Sequence, residues 1–318
     1  MAKVLVSDPN FGIFTDSMER LRKAGHETVR THFPITEEEL IPSITDAEAL
    51  ISGPDPVGAR AIRAAFRLRI ISRFGVGVDN VDIPAATGRR IIVTNAAGVN
   101  SDAVADFTFC LMLALSRDLC SAVSSVRQGR WEPFRGVEVN RKTLGVIGTG
   151  NIGRRVIRRA LGFSMRILAH DIVHDSSLVS DCGVTYVSLI ELLDQSDFVT
   201  IHVPRLPETI GLIGKAELAR MKPTAYLINT ARGKIVDEEA LCRVLKNQRI
   251  AGAALDVFAE EPTKSAELLA LDNLLATSHI ASSTEEAMRG VDGNCLENVL
   301  RVLKGKEPLS PVNYPFPA

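Results

Sequence analysis

Near the middle of the chain an apolar strand, a glycine-rich turn and a helix follow one another without a break, and few architectures accept that order. Leu144–Ile147 is apolar, Gly148-Thr149-Gly150-Asn151-Ile152-Gly153 comes next, and Asn151–Leu161 reads as a helix. A GxGxxG run alone also occurs in ordinary tight turns. With strand before and helix after, it has the form of a dinucleotide site. Gly148 permits the turn, Gly150 lets backbone approach a pyrophosphate, and Gly153 lets the helix pack on the strand. The helix start at Asn151 and Ile152 then offers free N–H groups and a partial positive charge to phosphate. About twenty residues on, the next strand ends at His170-Asp171. A carboxylate there accepts from ribose hydroxyls and repels a 2′-phosphate, which favours NAD over NADP.

Strand and helix patterns alternate from end to end, as in α/β proteins with parallel sheets. Strands are expected at Lys3–Ser7, His26–Arg30, Ala49–Ile51, Ile70–Phe74 and Arg90–Thr94, with helices such as Asp16–Lys23 and Pro56–Ala65 between them. Five such units suggest a flavodoxin-like sheet. Asn100–Leu119 reads as one long apolar helix crossing between two bodies, and Arg127–Arg141 as a polar surface loop. A second strand series follows at Thr143–Ile147, Met165–Ala169, Val184–Val187, Phe198–His202, Ala225–Asn229, Ala251–Leu255 and Leu274–Thr277. It fits a doubly wound dinucleotide fold. A last helix over Thr284–Lys304 returns the chain. The expectation is therefore a Rossmann domain (100–283) inserted in a flavodoxin-like one (1–99 and 284–318).

Composition narrows the partners. A length of 318 residues suits two domains, and 46% hydrophobic with 24% charged residues is usual for a globular protein. A net charge of −1 gives no broad basic surface for nucleic acid. The clusters Arg154-Arg155 and Arg158-Arg159 read as a solvated helix face. No apolar run reaches the roughly 20 residues needed to span a bilayer. Five cysteines without CxxC pairs or zinc-type spacing point to a reducing, cytoplasmic setting and no metal. Cys110, Cys120, Cys242 and Cys295 lie in apparent helices, where packing is their expected role.

Three polar residues stand at strand ends or in loops of the second half: Arg232, Glu261 and His279. Oxidising a secondary alcohol removes a proton as hydride leaves, and histidine suits that step. A carboxylate orients the imidazole, and a guanidinium grips a substrate carboxylate with two parallel hydrogen bonds. Each also has a plain structural reading as ion-pair partner, solvated acid or core histidine, and spacing alone does not choose.

The residues that choose are longer motifs. Gly75-Val76-Gly77-Val78-Asp79-Asn80-Val81-Asp82, the glycine loop, His202-Val203-Pro204, Asn229–Gly233 with Ile235-Val236-Asp237, Gly252–Phe258 and His279 stand in one order along the chain. In that order the chain resembles the D-isomer-specific 2-hydroxyacid dehydrogenases over essentially its whole length. The resemblance implies an NAD-dependent hydride transfer between cofactor and a small D-2-hydroxy or 2-oxo acid. It implies Arg232 as the substrate-binding arginine, Glu261, immediately before proline, as the dyad carboxylate, and His279 as the acid/base. It implies cofactor contacts from Thr108, His202, Val203, Pro204, Thr230, Ala231 and Asp256, the last at the nicotinamide carboxamide. Backbone N–H groups at Val76 and Gly77 would take the substrate carboxylate, in a cleft between domains. A homodimer built through the cofactor domain is also implied, with the loop of Trp131 and Arg135 at or near the interface.

Among members, the likeness is greatest to phosphoglycerate dehydrogenases without a regulatory domain; the chain ends soon after the returning helix. Arg73 is then a candidate for substrate phosphate, an ion pair being the competing reading, and Arg135 a weaker one. Hydroxypyruvate or glyoxylate reductases, D-lactate-type enzymes and phosphite oxidation stay open. Glu261 argues against formate oxidation, where the dyad carries Gln. A non-enzymatic NAD-sensing corepressor shares the fold and is the rival class. Three positions depart from the family pattern: Ser278 replaces the proline before the histidine, Asn95-Ala96-Ala97-Gly98 lacks a proline, and Asp106 replaces Glu.

Overall fold

A computed structural model describes residues 1–314 and divides the chain into two units, residues 1–100 with the segment from Ser283, and residues 101–282. The first unit begins with β1 (Lys3–Val6), α1 (Ser17–Lys23), β2 (Glu27–Arg30), α2 (Glu37–Ile44), β3 (Ala49–Ser52), α3 (Ala59–Ala64), β4 (Ile70–Arg73), α4 (Ile83–Gly88) and β5 (Ile92–Thr94). Its strands are parallel in the order β2-β1-β3-β4-β5, the flavodoxin-like arrangement. Side chains alternate across it: Leu5, Leu50, Ile71 and Val93 face one core, and Val4, Val6, Ile51 and Ile70 the other.

The second unit runs through α5 (Ser101–Ser116), α6 (Leu119–Arg127), β6 (Thr143–Ile147), α7 (Gly153–Leu161), β7 (Arg166–His170), α8 (Ser176–Cys182), β8 (Thr185–Tyr186) and α9 (Leu189–Gln195). It continues with β9 (Phe198–Ile201), α10 (Lys215–Arg220), β10 (Tyr226–Asn229), α11 (Glu238–Lys246), β11 (Gly252–Leu255), α12 (Ala266–Leu269) and β12 (Leu274–Ala276). The order β12-β11-β10-β9-β6-β7-β8 places the topological reversal between β6 and β9, where a doubly wound sheet opens a crevice at its carboxyl edge. β9, β10 and β11 are almost wholly buried, covered on both faces, which is why they read as continuous apolar runs. The chain then returns through α13 (Glu285–Leu303), whose Val291, Cys295, Val299 and Val302 pack on the first sheet with α1.

Three expectations need correction. The long apolar helix stops three residues short of Leu119 and a further helix follows it: α5 ends at Ser116, Asp118 takes a left-handed conformation, and α6 starts at Leu119. The Ser116 carbonyl is taken by the N–H of Val137 at 2.7 Å instead of continuing the helix. A Cβ at Gly136 would stand 2.3 Å from that carbonyl oxygen, so only glycine allows the approach. The arginines of α7 are not a merely solvated face. Arg155 and Arg159 bond Asp102 at 2.9 and 3.1 Å, Arg159 also bonds Asp106 at 2.6 Å, and Arg154 bonds Asp175 at 3.0 Å. With Arg155 and Arg159 four apart on α7 and Asp102 and Asp106 four apart on α5, their pairs clamp the two helices together, while the Arg154 pair ties α7 to the residue that caps α8. Finally, Cys242 and Cys295 are buried as packing residues should be, but Cys110 and Cys120 are exposed.

No single helix among the described residues is long and apolar enough to cross a membrane.

Candidate active site

The glycine turn follows β6 at the sheet's reversal point. Gly148 has φ +93°, a left-handed conformation, and a Cβ there would stand 2.8 Å from the His202 backbone. The turn therefore lies directly against the chain leaving β9. At Gly153 a Cβ would meet the Gly148 carbonyl oxygen at 2.0 Å, so α7 can start where it does only with glycine. Nothing lies within 4 Å of the Cβ position of Gly150, which leaves open space where a pyrophosphate must come close to backbone. Asn151 and Ile152 bring the chain into α7, Ile152 being its N-cap residue.

Asp171, just beyond β7, does more than its position in the sequence suggests. Its carboxylate accepts the Thr149 N–H at 2.6 Å, the Thr149 hydroxyl at 3.0 Å and the Val173 N–H at 3.0 Å. Burial alone raises this carboxyl, but the hydrogen bonds from Thr149 and Val173 outweigh it and hold it below its ordinary value. An ionised acceptor is thus braced against the turn. The Tyr186 hydroxyl donates to Thr149 at 3.1 Å and extends the brace.

Across the turn, the His202 N–H bonds the Ile147 carbonyl at 2.7 Å and its Nε2 meets the Thr200 hydroxyl at 2.9 Å. Burial pushes the imidazole down to about 3, so it is neutral. Val203 packs on Gly148, and Pro204 is exposed. Thr108 on α5 is fully buried, bonded to the Val104 carbonyl at 2.8 Å and 3.4 Å from the hydroxyl of Thr230.

The polar trio comes from three strand ends of the same sheet. After β10, the buried Asn229 side chain accepts the Ala231 N–H at 3.0 Å and donates to the Arg232 carbonyl at 2.9 Å, which shapes the turn presenting Arg232. The guanidinium donates to the Ala231 carbonyl at 2.7 Å. After β11, Glu261 folds back so that its Oε1 accepts the Phe258 N–H at 3.0 Å. Its Oε2 meets His279 Nδ1 at 2.8 Å. After β12, His279 adopts φ +57°, a conformation uncommon outside glycine and one that clusters at functional sites.

Asp256 stabilises that conformation. Its buried carboxylate accepts the Thr277 hydroxyl at 2.7 Å and the N–H groups of Ile280 and Ala281, each at 2.9 Å, and its carbonyl accepts the His279 N–H at 2.8 Å. A loop with Ser278 in place of proline is thereby fixed by hydrogen bonds.

Glu261 illustrates the electrostatics. Burial works to raise its carboxyl, but the His279 and Phe258 hydrogen bonds and the charges of His279 and Arg232 hold it below its ordinary value. It is ionised at neutral pH. An ionised Glu261 fixes Nδ1 of the imidazole as the donor and turns Nε2 to other work.

In the first unit, β4 ends at Arg73 and the loop after it carries Val76 and Gly77. The Val76 carbonyl accepts from Asn95 Nδ2 at 2.7 Å, and the Gly75 carbonyl from the Ala96 N–H at 2.8 Å, so the loop is tied down although proline is absent from 95–98. Arg73 donates to Asn80 Oδ1 at 3.3 Å and to the Phe74 carbonyl. The structure thus gathers Arg232, Glu261, His279 and Asp256 in one unit with the glycine turn, and holds Val76, Gly77 and Arg73 in the other. Bracing of the glycine turn by Asp171 and of the His279 loop by Asp256 was missed in the sequence because the bonds that carry it join residues more than twenty positions apart; their places at strand ends were the signal available. Among the described residues no group of three or more His, Cys, Asp and Glu side chains is placed to hold a metal ion.

Residues 109–281 match the model of the D-isomer specific 2-hydroxyacid dehydrogenase, NAD binding domain. D-3-phosphoglycerate dehydrogenase of Methanocaldococcus jannaschii is 42% identical, over 99% of this chain and 60% of that protein. Glyoxylate reductase of Korarchaeum cryptofilum is also 42% identical, over 88% of this chain and 87% of that protein. D-lactate dehydrogenase from Aquifex aeolicus, solved with NAD and lactic acid, has 29% identity and a TM-score of 0.87, over 99% of this chain and 100% of that one. The chain spans 60% or less of the length of the phosphoglycerate dehydrogenases it matches.

Asp171→Ala is expected to weaken NADH binding about 10-fold or more, since hydrogen bonds to a charged acceptor are worth roughly 1.5–3 kcal/mol. The same change should narrow the preference for NADH over NADPH, read by fluorescence titration. An unchanged ratio of the two affinities contradicts the ribose assignment.

Proposed function

We infer the reaction from one premise: this chain belongs to the D-isomer specific 2-hydroxyacid dehydrogenase family. We propose that it is an NAD-dependent oxidoreductase moving a hydride between NAD(H) and a small D-2-hydroxy acid or 2-oxo acid. Its lead substrate is that of a phosphoglycerate dehydrogenase, with hydroxypyruvate or glyoxylate reduction as the alternative. The observation that carries the proposal is the 2.8 Å bond between His279 Nδ1 and Glu261 Oε2, in the same unit as the glycine turn.

NAD, when bound, supplies the acceptor or donor of the hydride. Everything else falls to the chain. Gly148, Gly150 and Gly153 with the start of α7 hold the pyrophosphate, Asp171 the ribose, and Asp256 the carboxamide. Thr108, His202, Val203, Pro204, Thr230 and Ala231 line the cofactor. Arg232 holds the substrate carboxylate and polarises the adjacent carbonyl, helped by the backbone N–H groups of Val76 and Gly77. Arg73 is reserved for a phosphate tail. His279 Nε2 takes the hydroxyl proton in oxidation and returns it in reduction, while ionised Glu261 stabilises the charged imidazole between the two events. In domain terms, residues 100–283 serve the cofactor and residues 1–99 with 284–318 the substrate.

A homodimer and a cytoplasmic setting complete the proposal. Leu119, Val123 and Val126 share one face of α6 and are all exposed, and Trp131 beyond them is 91% exposed. A second copy of the chain is the occupant that a family of paired cofactor domains would place there. All five cysteines are free, as in a reducing compartment.

The test is NADH consumption with 3-phosphohydroxypyruvate, hydroxypyruvate, glyoxylate and pyruvate, and NAD reduction with 3-phosphoglycerate and phosphite. At least one 2-oxo acid should be reduced. Because reduction of a 2-oxo acid by NADH consumes a proton and the reverse oxidation releases one, raising the pH should disfavour reduction and favour oxidation. Cofactor binding without turnover of any acid would favour the corepressor-like reading instead. For the dimer, Val123→Glu with Trp131→Glu should halve the mass seen by sedimentation, and an unchanged mass would remove α6 from the interface.

A further inference from the structure

Glu238 is the first residue of α11, where a carboxylate ordinarily serves the free N–H groups of its own helix. That place is already filled: Asp237 caps the helix by accepting the Ala240 N–H at 2.9 Å. The Glu238 side chain turns out of the helix and accepts the backbone N–H of Ala259. Burial raises its carboxyl, the Ala259 N–H works against that, and the charge of Glu261 raises it again. A partly buried carboxylate next to a second carboxylate is costly to hold. In the absence of a structural return, this is not where a stray surface acid would settle.

The return lies in what Ala259 belongs to. Its neighbour Phe258 gives its N–H to Glu261, so two consecutive N–H groups of one turn are held by two carboxylates from different elements. The same turn is pressed, backbone on backbone, against the turn that presents Arg232. A Cβ at Gly233 would stand 1.9 Å from the Phe258 carbonyl carbon and 2.3 Å from Ala259 N. Contact alone prevents approach but does not prevent the turn from lifting away. A hydrogen bond from α11, which follows the arginine turn in sequence, does.

We propose that Glu238 is a positioning residue: through Ala259 it pins the Glu261 turn to the Arg232 turn, and so fixes the carboxylate that aims His279. It contacts neither substrate nor cofactor in this role. The inference rests on Glu261 and His279 being the proton-handling pair of the proposed reaction. Misplacing such a pair by about an ångström costs on the order of 100-fold in rate.

The experiment uses the full chain with NADH and glyoxylate, and compares three variants. Glu238→Ala should lower kcat about 10- to 100-fold while the KM for NADH stays within about twofold. Glu238→Gln keeps an oxygen that can accept the Ala259 N–H, and should restore most of kcat. Glu238→Asp keeps the charge but loses the reach, so it should behave like the alanine variant; with the glutamine variant it decides the matter should the alanine variant not fold. Amide hydrogen exchange at Ala259 should quicken in the alanine and aspartate variants and stay slow in the glutamine variant. Wild-type kcat in the alanine or aspartate variant overturns the proposal. So does an equal loss in all three, with a lowered unfolding midpoint, which would mark a purely structural residue. If the wild type reduces no 2-oxo acid, the reading of the reaction fails, while the exchange measurement still reports on Glu238.

Discussion

The carboxylate of Asp256 is buried, and a buried charge persists only when hydrogen bonds replace the water it has lost. Three donors from the loop after β12 do this, and the Asp256 carbonyl takes the N–H of His279 as well. The bargain works in both directions. Those bonds neutralise the cost of the acid, and they hold His279 in a left-handed conformation that an unsupported chain would leave. From that conformation the imidazole reaches Glu261, whose own turn is fixed by Phe258 and by close packing on Gly233. The polar site is thus assembled from backbone hydrogen bonds at adjacent strand ends, which a parallel sheet supplies to any chemistry placed there.

Electrostatics follows from the same scaffold. Asp171 and Glu261 both sit where burial works to raise the carboxyl, and in both cases donated hydrogen bonds prevail. One charge is braced against the glycine turn and the other against the histidine. His202, by contrast, loses its charge to burial and stays neutral beside the turn.

Much of this was legible in the sequence because parallel strands buried on both faces leave unbroken apolar runs, and because glycines mark places where backbones must touch. The strand–glycine turn–helix order located the crevice, and Gly148 and Gly153 carry the close contacts that order implies. The order of motifs named the trio at Arg232, Glu261 and His279. What the sequence hid is what depends on long-range partners. The break after Ser116 depends on Val137, the clamp of α7 on Asp102 and Asp106, and the grip on His279 on Asp256. No local window contains both halves of any of these, and the exposure of Cys110 and Cys120 likewise depends on which face of a helix the core claims.

The measurement nearest the centre is single-turnover reduction of a 2-oxo acid by His279→Ala protein preloaded with NADH. The rate should fall roughly 10²- to 10⁴-fold with the NADH affinity unchanged. A variant that transfers hydride at the wild-type rate would show that the imidazole beside Glu261 handles no proton, and the chemistry assigned to this site would have to be sought elsewhere in the chain.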